Sequence, residues 1–330
     1  MKVIGLMPVR NEEWILDITI PQLKRYVDQI ICLDAGSIDR TIEILKSYDV
    51  EVINGKSFQN DYGKSRQVLL EKGRENLGTH FVWLDADEAF TSNFHNTFFE
   101  RLKSMKPGQK LALQWLCLWK DVSKYRDDNS VWSNLYKDFV QCDDLSFSFE
   151  NSAKLHEGRT PGPNENTWLT IPKEEGAVLH FQFVSFERFQ MKQAFQRCRE
   201  YTLNPHDPEK INEKYSITLD DKNAKCKKIP QEWLTSFTDL EKLAKADVGW
   251  YYSEIEKFFT DQSINFYEPL QIWHIPALFN EFVAKNRRKP IHAFYNTPTD
   301  LSLYQKIKMW VSGRIHRLVL VLRKFLGVNN

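Results

Sequence analysis

The sequence lacks long hydrophobic runs, paired cysteines and an excess of one charge. No stretch of its 330 residues reaches the roughly 18 uncharged apolar positions that a membrane-spanning helix needs. The five cysteines are irregularly spaced and contain no Cys-x-x-Cys pair, which indicates neither a disulfide framework nor a zinc knot. The formal net charge is +1, which provides no field for a polyanion, so we expect no nucleic-acid partner.

The first residues also lack the pattern of a secretory signal. Their apolar stretch is short, and Arg10, Glu12 and Glu13 soon interrupt it. With scattered cysteines and no spanning helix, these features predict a cytoplasmic protein, either soluble or peripheral at the inner face of the membrane.

Residues 1–90 alternate between short apolar runs and segments with helical spacing. Helical spacing predicts helices at Glu12–Tyr26, Asp39–Tyr48 and Asp61–Asn76. Apolar runs predict strands at Val3–Met7, Gln29–Leu33, Val50–Ile53, His80–Leu84, Leu111–Trp119 and Ala177–Val184. This alternation predicts a parallel sheet flanked by helices. Asp143–Pro172 reads as loop, and the chain beyond Ser185 as mostly helical.

Polar clusters follow three of the predicted strands, at Pro8–Glu13, Asp34–Asp39 and Asp85–Glu88. Ligands of parallel α/β sheets bind beyond the carboxyl ends of the strands. Asp85 and Asp87 offer carboxylate oxygens, which suit Mg²⁺ or Mn²⁺. An isolated pair of this kind is more often a solvated acidic turn, but its place at the end of a strand favours a metal site.

Four segments in order resemble the signature of family 2 glycosyltransferases with the GT-A fold. They are Pro8–Glu13, Leu33–Thr41, Gly63–Gln67 and Trp83–Glu88. The resemblance is firm over residues 1–90 and extends loosely to Tyr201. It implies an α/β GT-A domain over residues 1–200, with a Rossmann-like, mostly parallel sheet flanked by helices. A C-terminal helical extension would occupy residues 201–330.

The resemblance also implies roles for single residues, around a nucleotide-sugar donor and a divalent metal, Mn²⁺ or Mg²⁺. Asp34 would accept a hydrogen bond from a base such as uracil, although this chain has Ala35 where many relatives have a second Asp. Asp87 would bind the metal that bridges the diphosphate, and Asp85 would contact either ribose or metal. The other donor-binding residues would be Pro8, Arg10, Glu12, Arg66 and Ala86.

Two later residues are candidates for completing the site. His180 lies on an apolar run and is either a buried core histidine or a third metal ligand. Glu157 is the candidate catalytic base, because an inverting transfer needs a carboxylate that deprotonates the attacking hydroxyl. An exposed loop acid is the alternative reading of Glu157. Rival acids for the base are Asp143, Asp144 and Glu150.

The C-terminal segment from Tyr304 to Leu326 has apolar residues at helical spacing. It carries basic residues and no acid: Lys306, Lys308, Arg314, Arg317, Arg323 and Lys324. This pattern predicts an amphipathic helix on an anionic membrane surface. The alternative is a helix that packs on the protein with its cations in water.

Together these features predict an inverting, metal-dependent glycosyltransferase of cell-surface polysaccharide synthesis. A UDP-sugar is the favoured donor, with GDP open, and the acceptor would be a hydroxyl of a glycan or a lipid-linked molecule. A sugar-phosphate nucleotidyltransferase is disfavoured because Pro8–Glu13 contains no glycine. A non-catalytic carbohydrate- or membrane-binding module is disfavoured by the carboxylate pair.

Overall fold

The structure, a computed structural model, describes residues 1–58, 61–128, 133, 135–149, 159–163, 167–216, 224–245 and 248–291. The chain divides into two compact units. The described residues within Met1–Val184 and Cys226–Ala244 belong to the first, and those within Ser185–Lys225 and Lys245–Asn329 belong to the second. The predicted domain boundary at residue 200 stays a prediction.

In its described residues, the first unit contains the strands and four α-helices. Its strands are β1 (Val3–Val9), β2 (Gln29–Asp34), β3 (Glu51–Asn54), β4 (His80–Trp83), β5 (Glu88–Phe90), β6 (Lys110–Cys117), β7 (Lys124–Arg126), β8 (Leu135–Cys142), β9 (Trp168–Thr170), β10 (Ala177–His180) and β11 (Cys226–Lys228). Its helices are α1 (Glu13–Leu23), α2 (Thr41–Ser47), α3 (Tyr62–Glu75) and α4 (His95–Ser104).

The main sheet has the strand order β3-β2-β1-β4-β8-β6-β10-β5, with β9 alongside β6. The strands from β3 to β4 run parallel, as do β9 and β10 with β6. Strand β8 is antiparallel to both of its neighbours, and β5 is antiparallel to β10. The predicted class, a mostly parallel α/β sheet of the Rossmann-like GT-A type flanked by helices, is confirmed.

Burial explains why the parallel half forms from apolar runs. Strands covered on both faces need apolar side chains at successive positions. Ile4 and Leu6 pack with Phe81 and Trp83 of β4 in one buried cluster, and α3 adds Leu69 to it. In the register, Val9 lies opposite Asp34, and Leu6 lies opposite Trp83. The carboxyl ends of β1, β2 and β4 therefore meet at one edge of the sheet.

Strands β7 and β8 were not predicted from the sequence. Lys137, Asp138 and Gln141 interrupt the apolar character of β8, although Asp138 and Gln141 are buried. Because these polar side chains find partners inside the fold, the strand carries no apolar signature in the sequence.

The second unit is helical in its described part. It contains α5 (Phe186–Leu203), α6 (Pro208–Lys214), α7 (Gly249–Gln262) and α8 (Pro276–Asn286). Its core includes Ile255, Phe259, Tyr267, Trp273 and Phe282. Among the residues described in either unit, no helix is long and apolar enough to cross a membrane. The basic helix expected from Tyr304 to Leu326 lies outside the described residues.

Candidate functional site

The loops after β1 and β2 are joined to each other by hydrogen bonds. The backbone N–H of Asn11 donates to Ser37 Oγ at 2.9 Å, and Asn11 Oδ1 accepts from the backbone of Ile38 at 2.8 Å. Asn11 has φ of 54°, a conformation that asparagine tolerates better than most residues. The backbone of Glu12 donates to Thr41 Oγ1 at 2.8 Å. These contacts hold the two strand ends as one surface.

Asp34 organises the second of these loops. Its Oδ1 accepts from the backbone N–H and the hydroxyl of Ser37, and its Oδ2 accepts from the backbone N–H groups of Gly36 and Ser37. A carboxylate offers about four acceptor positions, so its own loop uses most of the capacity of Asp34. The geometry therefore favours a loop-organising role for Asp34 over a direct contact with a base.

A tight turn follows β4 and carries both carboxylates of the Asp-Ala-Asp motif. The backbone N–H of Glu88 donates to the carbonyl of Asp85 at 3.0 Å, and the backbone N–H of Asp85 donates to Glu88 Oε2 at 2.9 Å. The carbonyl of Ala86 accepts from Thr19 Oγ1 of α1 at 2.8 Å. The turn is thus fixed at both ends and in its middle.

Arg159 anchors this turn across the sheet. Its Nη1 and Nη2 donate to the two carboxylate oxygens of Glu88 at 2.5 and 2.9 Å, and Nη2 also donates to Asp85 Oδ2 at 3.2 Å. The Glu88 side chain is fully buried, and Arg159 is nearly so. Glu88 Oε1 accepts a further hydrogen bond from Trp115 Nε1 at 2.7 Å. The carboxylate of Glu88 is therefore occupied by hydrogen bonds that hold the turn.

Two arginines determine the charge state of Asp85. Burial alone would raise the pKa of the Asp85 carboxyl, but Arg159 and Arg66 hold it below its ordinary value. Arg66 lies on α3, where burial lowers its pKa and the charge of Asp85 opposes that shift. Asp85 is thus an ionised carboxylate under the influence of two guanidinium groups, and those guanidinium groups are the part of this setting suited to phosphate.

Asp87 and His180 converge at the same edge of the sheet. Asp87 Oδ2 lies 3.4 Å from His180 Nε2, and both side chains are buried. The carbonyl of Asp87 accepts from the backbone N–H of Phe181, which ties the turn to the end of β10. Carboxylate oxygen and imidazole nitrogen are ligand types for Mn²⁺ and related metals. This pair fits a shared divalent cation.

The ring of His180 is held by stacking. Its centroid lies 4.2 Å from that of Trp115 at an interplanar angle of 26°, and Phe183 meets it edge-on at 5.4 Å. His180 Nδ1 has no hydrogen-bond partner among the residues that the structure describes. Lys137 of β8 places its Nζ 3.4 Å from the Trp115 ring, so a cation and the histidine share one aromatic platform.

Within the described ranges, no group of three or more His, Cys, Asp or Glu side chains could hold a metal ion. Asp87 and His180 lie together, whereas Asp85 is paired with Arg159, and the predicted set of three metal ligands stays a prediction. Two protein ligands are compatible with Mg²⁺-like ions, which usually take one or two carboxylates and complete their shell with substrate phosphates and water.

The other residues predicted to bind the donor lie near the ends of β1 and β4. Pro8 lies on β1, and Arg10 and Glu12 follow that strand; all three are half-buried. Ala86 follows β4, and its side chain is buried. Glu12 Oε2 accepts from Trp14 Nε1 at 2.6 Å. Glu157, the predicted base, and its rival Glu150 lie outside the described residues.

Two rival acids for the base have structural partners. Asp143 accepts both hydrogen bonds of a bidentate pair with Arg74, at 2.8 and 2.9 Å. Asp144 caps the following turn through the backbone and hydroxyl of Ser146. Neither carboxylate is set up as a general base by these contacts.

Four residues of the site were not predicted from the sequence: Glu88, Trp115, Lys137 and Arg159. Glu88 stood next to the motif and read as one more acid of the turn. Arg159 is separated from Glu88 by 71 residues, so no local pattern could reveal the pair. The structure shows that Glu88 is buried, and a buried acid calls for a cationic partner, but the sequence alone does not show that burial.

One family model matches part of the chain. The model of the family "Glycosyl transferase family 2" matches residues 6–140, which run from β1 into β8. No curated protein matches the chain.

Solved structures give weak likenesses. Mannosyl-3-phosphoglycerate synthase from Rubrobacter xylanophilus is 19% identical, with 37% of this chain and 41% of that chain covered and a TM-score of 0.27. Glucosyl-3-phosphoglycerate synthase from Mycobacterium tuberculosis, solved with Mn²⁺ and UDP-glucose, is 18% identical over 36% of this chain and 44% of that one, with a TM-score of 0.25. S. aureus TarS is 14% identical over 87% of this chain and 53% of its own, with a TM-score of 0.33. This chain thus spans about half or less of each of these proteins, and the TM-scores are low.

Proposed function

We propose that this chain, whose residues 6–140 match the model of family 2 glycosyltransferases, moves a sugar from a nucleotide-diphosphate donor to a hydroxyl of an acceptor. The observation that carries the proposal is the convergence of Asp87 and His180, 3.4 Å apart, at the carboxyl edge of the sheet. Buried carboxylate and imidazole donors at such an edge suit a metal–diphosphate site.

We propose Asp87 and His180 as the residues that hold a divalent cation, Mn²⁺ or Mg²⁺. When bound, the cation would neutralise charge that develops on the departing nucleoside diphosphate. Stacking of His180 on Trp115 keeps its ring in place, and the turn held by Glu88 keeps Asp87 in place. The chain's own contribution is therefore a rigid pair of ligands.

The proposed binding of the nucleotide-sugar donor depends on the cationic side chains that act on Asp85. Arg66 and Arg159 act electrostatically on Asp85, and Lys137 acts on it from β8. Fixed positive charges near a transferred group stabilise negative charge on phosphate oxygens. We therefore propose that Asp85 orients the donor, with the guanidinium groups facing its phosphates.

The reaction proposed is inverting transfer. The acceptor oxygen forms a bond to the anomeric carbon while the bond from that carbon to the phosphate oxygen breaks, and the hydroxyl proton passes to a carboxylate. Glu157, two positions before Arg159 along the chain, remains the proposed base. A glycan or lipid-linked acceptor in cell-surface polysaccharide synthesis remains part of the proposal.

A UDP-sugar remains the proposed donor, with GDP open. Because Asp34 already accepts hydrogen bonds from three donors of its loop, we propose that it shapes the nucleoside pocket by holding the loop of Gly36 and Ser37. A thermal-shift panel of UDP and GDP with Mn²⁺ tests the choice, since a specific nucleotide stabilises the fold by mass action. Equal shifts with both would contradict a base preference.

The experiment on function measures release of nucleoside diphosphate from a panel of nucleotide sugars with Mn²⁺. We expect Asp87→Asn to lower kcat/KM by about 10²–10³-fold, since metal stabilisation is worth several kcal/mol and each 1.4 kcal/mol is tenfold. Excess EDTA should abolish activity and added Mn²⁺ restore it. The matched control is Asp17→Asn, at an exposed position of α1. Full activity of Asp87→Asn, or full activity in EDTA, would overturn the proposal.

We also propose that the basic segment 304–330 attaches the protein to anionic membranes. The support is its sequence pattern of apolar spacing and six cations without an acid. Flotation of the full chain with vesicles of anionic phospholipid should carry the protein upwards, and deletion of residues 304–330 should abolish this. Equal partitioning of both forms would contradict the attachment.

A further inference from the structure

The second unit contains a fully buried arginine. Arg197 lies on α5 with no exposed surface, and its Nη2 donates to the carbonyl of Tyr215 at 2.6 Å. Its Nε and Nη1 have no hydrogen-bond partner among the described residues. Three of the five N–H groups of a guanidinium thus face the interior without an acceptor.

His274 also has buried nitrogen atoms without hydrogen-bond partners in the described residues, and the charge of Arg197 acts on it. Both ring nitrogens of His274 are buried and have no hydrogen-bond partner in the described part of the chain. Burial and the charge of Arg197 lower the pKa of His274 to about 3. His274 is therefore neutral at pH 7, with one N–H donor and one acceptor nitrogen.

No carboxylate of the described residues compensates Arg197. Burial lowers its pKa to about 10, and the groups that oppose this shift, Tyr215 and Cys198, are neutral at pH 7. Glu200, one helical turn further along α5, is engaged instead by Lys214 at 2.5 Å and by the hydroxyl of Tyr215. An uncompensated buried charge is costly, and such a group calls for an unseen ion or water.

We propose that Arg197 and His274 form a buried binding site for a small oxyanion in the second unit. An oxyanion would accept hydrogen bonds from the unpartnered N–H groups of Arg197, with the strength of charge-assisted bonds. The N–H of His274 would supply a further donor. Both residues belong to the second unit, whereas Asp87 and His180 belong to the first.

The test is a thermal-shift titration of the full chain with sodium sulfate, in a Tris-chloride buffer of matched ionic strength. We expect a saturable rise in Tm of at least about 5 °C when sulfate reaches ~100 times its Kd. Sodium acetate in a parallel series shows whether a single carboxylate suffices. Isothermal titration calorimetry of the unmodified protein with sulfate should give the same Kd.

Variants separate the site from general effects of sulfate, which stabilises folded proteins by exclusion from their surface. Arg197→Met should lose the saturable component and, in buffer without oxyanions, be at least as stable as the unmodified chain. His274→Phe should raise the Kd for sulfate at least about tenfold. Arg188→Met is the matched control, since Arg188 is a buried arginine of the same helix whose guanidinium lies over Tyr251.

The outcome that overturns the proposal is a sulfate response that never saturates and is equal in the unmodified chain and in Arg197→Met. Absence of heat in the calorimetric titrations with both sulfate and acetate would overturn it equally. If Arg197→Met does not fold, the sulfate titrations of the unmodified chain and of His274→Phe are compared instead. An equal Kd for sulfate in both would then overturn the proposal.

Discussion

Replacement of Glu88 by glutamine tests whether this residue holds the turn of the Asp-Ala-Asp motif. Glu88 accepts hydrogen bonds from the Asp85 backbone, from Trp115 Nε1 and from both terminal nitrogens of Arg159. Glutamine keeps the shape but turns one acceptor oxygen into a donor that faces other donors. It also removes the fully buried carboxylate that pairs with Arg159, which is itself nearly buried, while the bond from Arg159 to the more exposed Asp85 remains.

The magnitude follows from burial. Removal of one partner from a buried ion pair costs about 3–5 kcal/mol. The first unit has about 200 residues, and a domain of 150–250 residues loses about 2–4 °C of Tm per kcal/mol. We therefore expect Glu88→Gln to lower the Tm by about 6–20 °C in thermal unfolding followed by circular dichroism.

The matched control is Glu175→Gln. Glu175 also forms a bidentate pair with an arginine, but Arg101 is 46% exposed, and exposed pairs contribute about 0–1 kcal/mol. The double variant Glu88→Met with Arg159→Met should regain part of the loss, because apolar replacement of both partners removes the unpaired charge. A Tm of Glu88→Gln no lower than that of Glu175→Gln would refute the reasoning.

Two further predictions concern other parts of the chain. Because the folded-state pKa of His274 is about 3, below its ordinary value of 6.5, the unfolded chain binds a proton between these values and the folded chain does not. The second unit should therefore lose stability as pH falls below about 6.5, by up to about 1.4 kcal/mol per pH unit in urea unfolding. Arg197 is the charged group that faces His274 in the described residues, and Tyr215 and Cys198 beside Arg197 are uncharged in this range. The slope should flatten in His274→Phe and not in the exposed-site control His206→Gln, and equal slopes would contradict the assignment. Gly162→Ala should lower the unfolding free energy by about 1–3 kcal/mol. Gly162 has φ of 78°, and a Cβ at this position would lie 2.3 Å from the ring of Phe147. An unchanged midpoint of denaturant unfolding would contradict this prediction.

The sequence predicts the parallel part of the fold well. The apolar runs of β1, β2 and β4 carry their own signature, because strands buried on both faces need apolar side chains at consecutive positions. Polar residues directly after those runs then locate the functional edge of the sheet. Asp87 and His180, predicted as ligands from positions far apart in the chain, do lie together.

The network around the motif could not be predicted in the same way. Arg159 reaches Glu88 from a segment without periodicity, and Lys137 lies on a strand interrupted by buried polar side chains. Such contacts depend on long-range partners that a local pattern does not encode. Arg197 is a similar case, since its helical position looks like any exposed cation until the packing of α5 is known.

The division of labour between the two motif carboxylates is the central claim, and direct measurement of Mn²⁺ binding tests it. Electron paramagnetic resonance can follow free Mn²⁺ in the presence of UDP for the unmodified chain and for Asp87→Asn, His180→Ala and Asp85→Asn. The account predicts that Asp87→Asn and His180→Ala weaken Mn²⁺ binding at least about tenfold, while Asp85→Asn, whose carboxylate is paired with Arg159, changes it less. Loss of Mn²⁺ binding in Asp85→Asn with retention in Asp87→Asn would contradict the account.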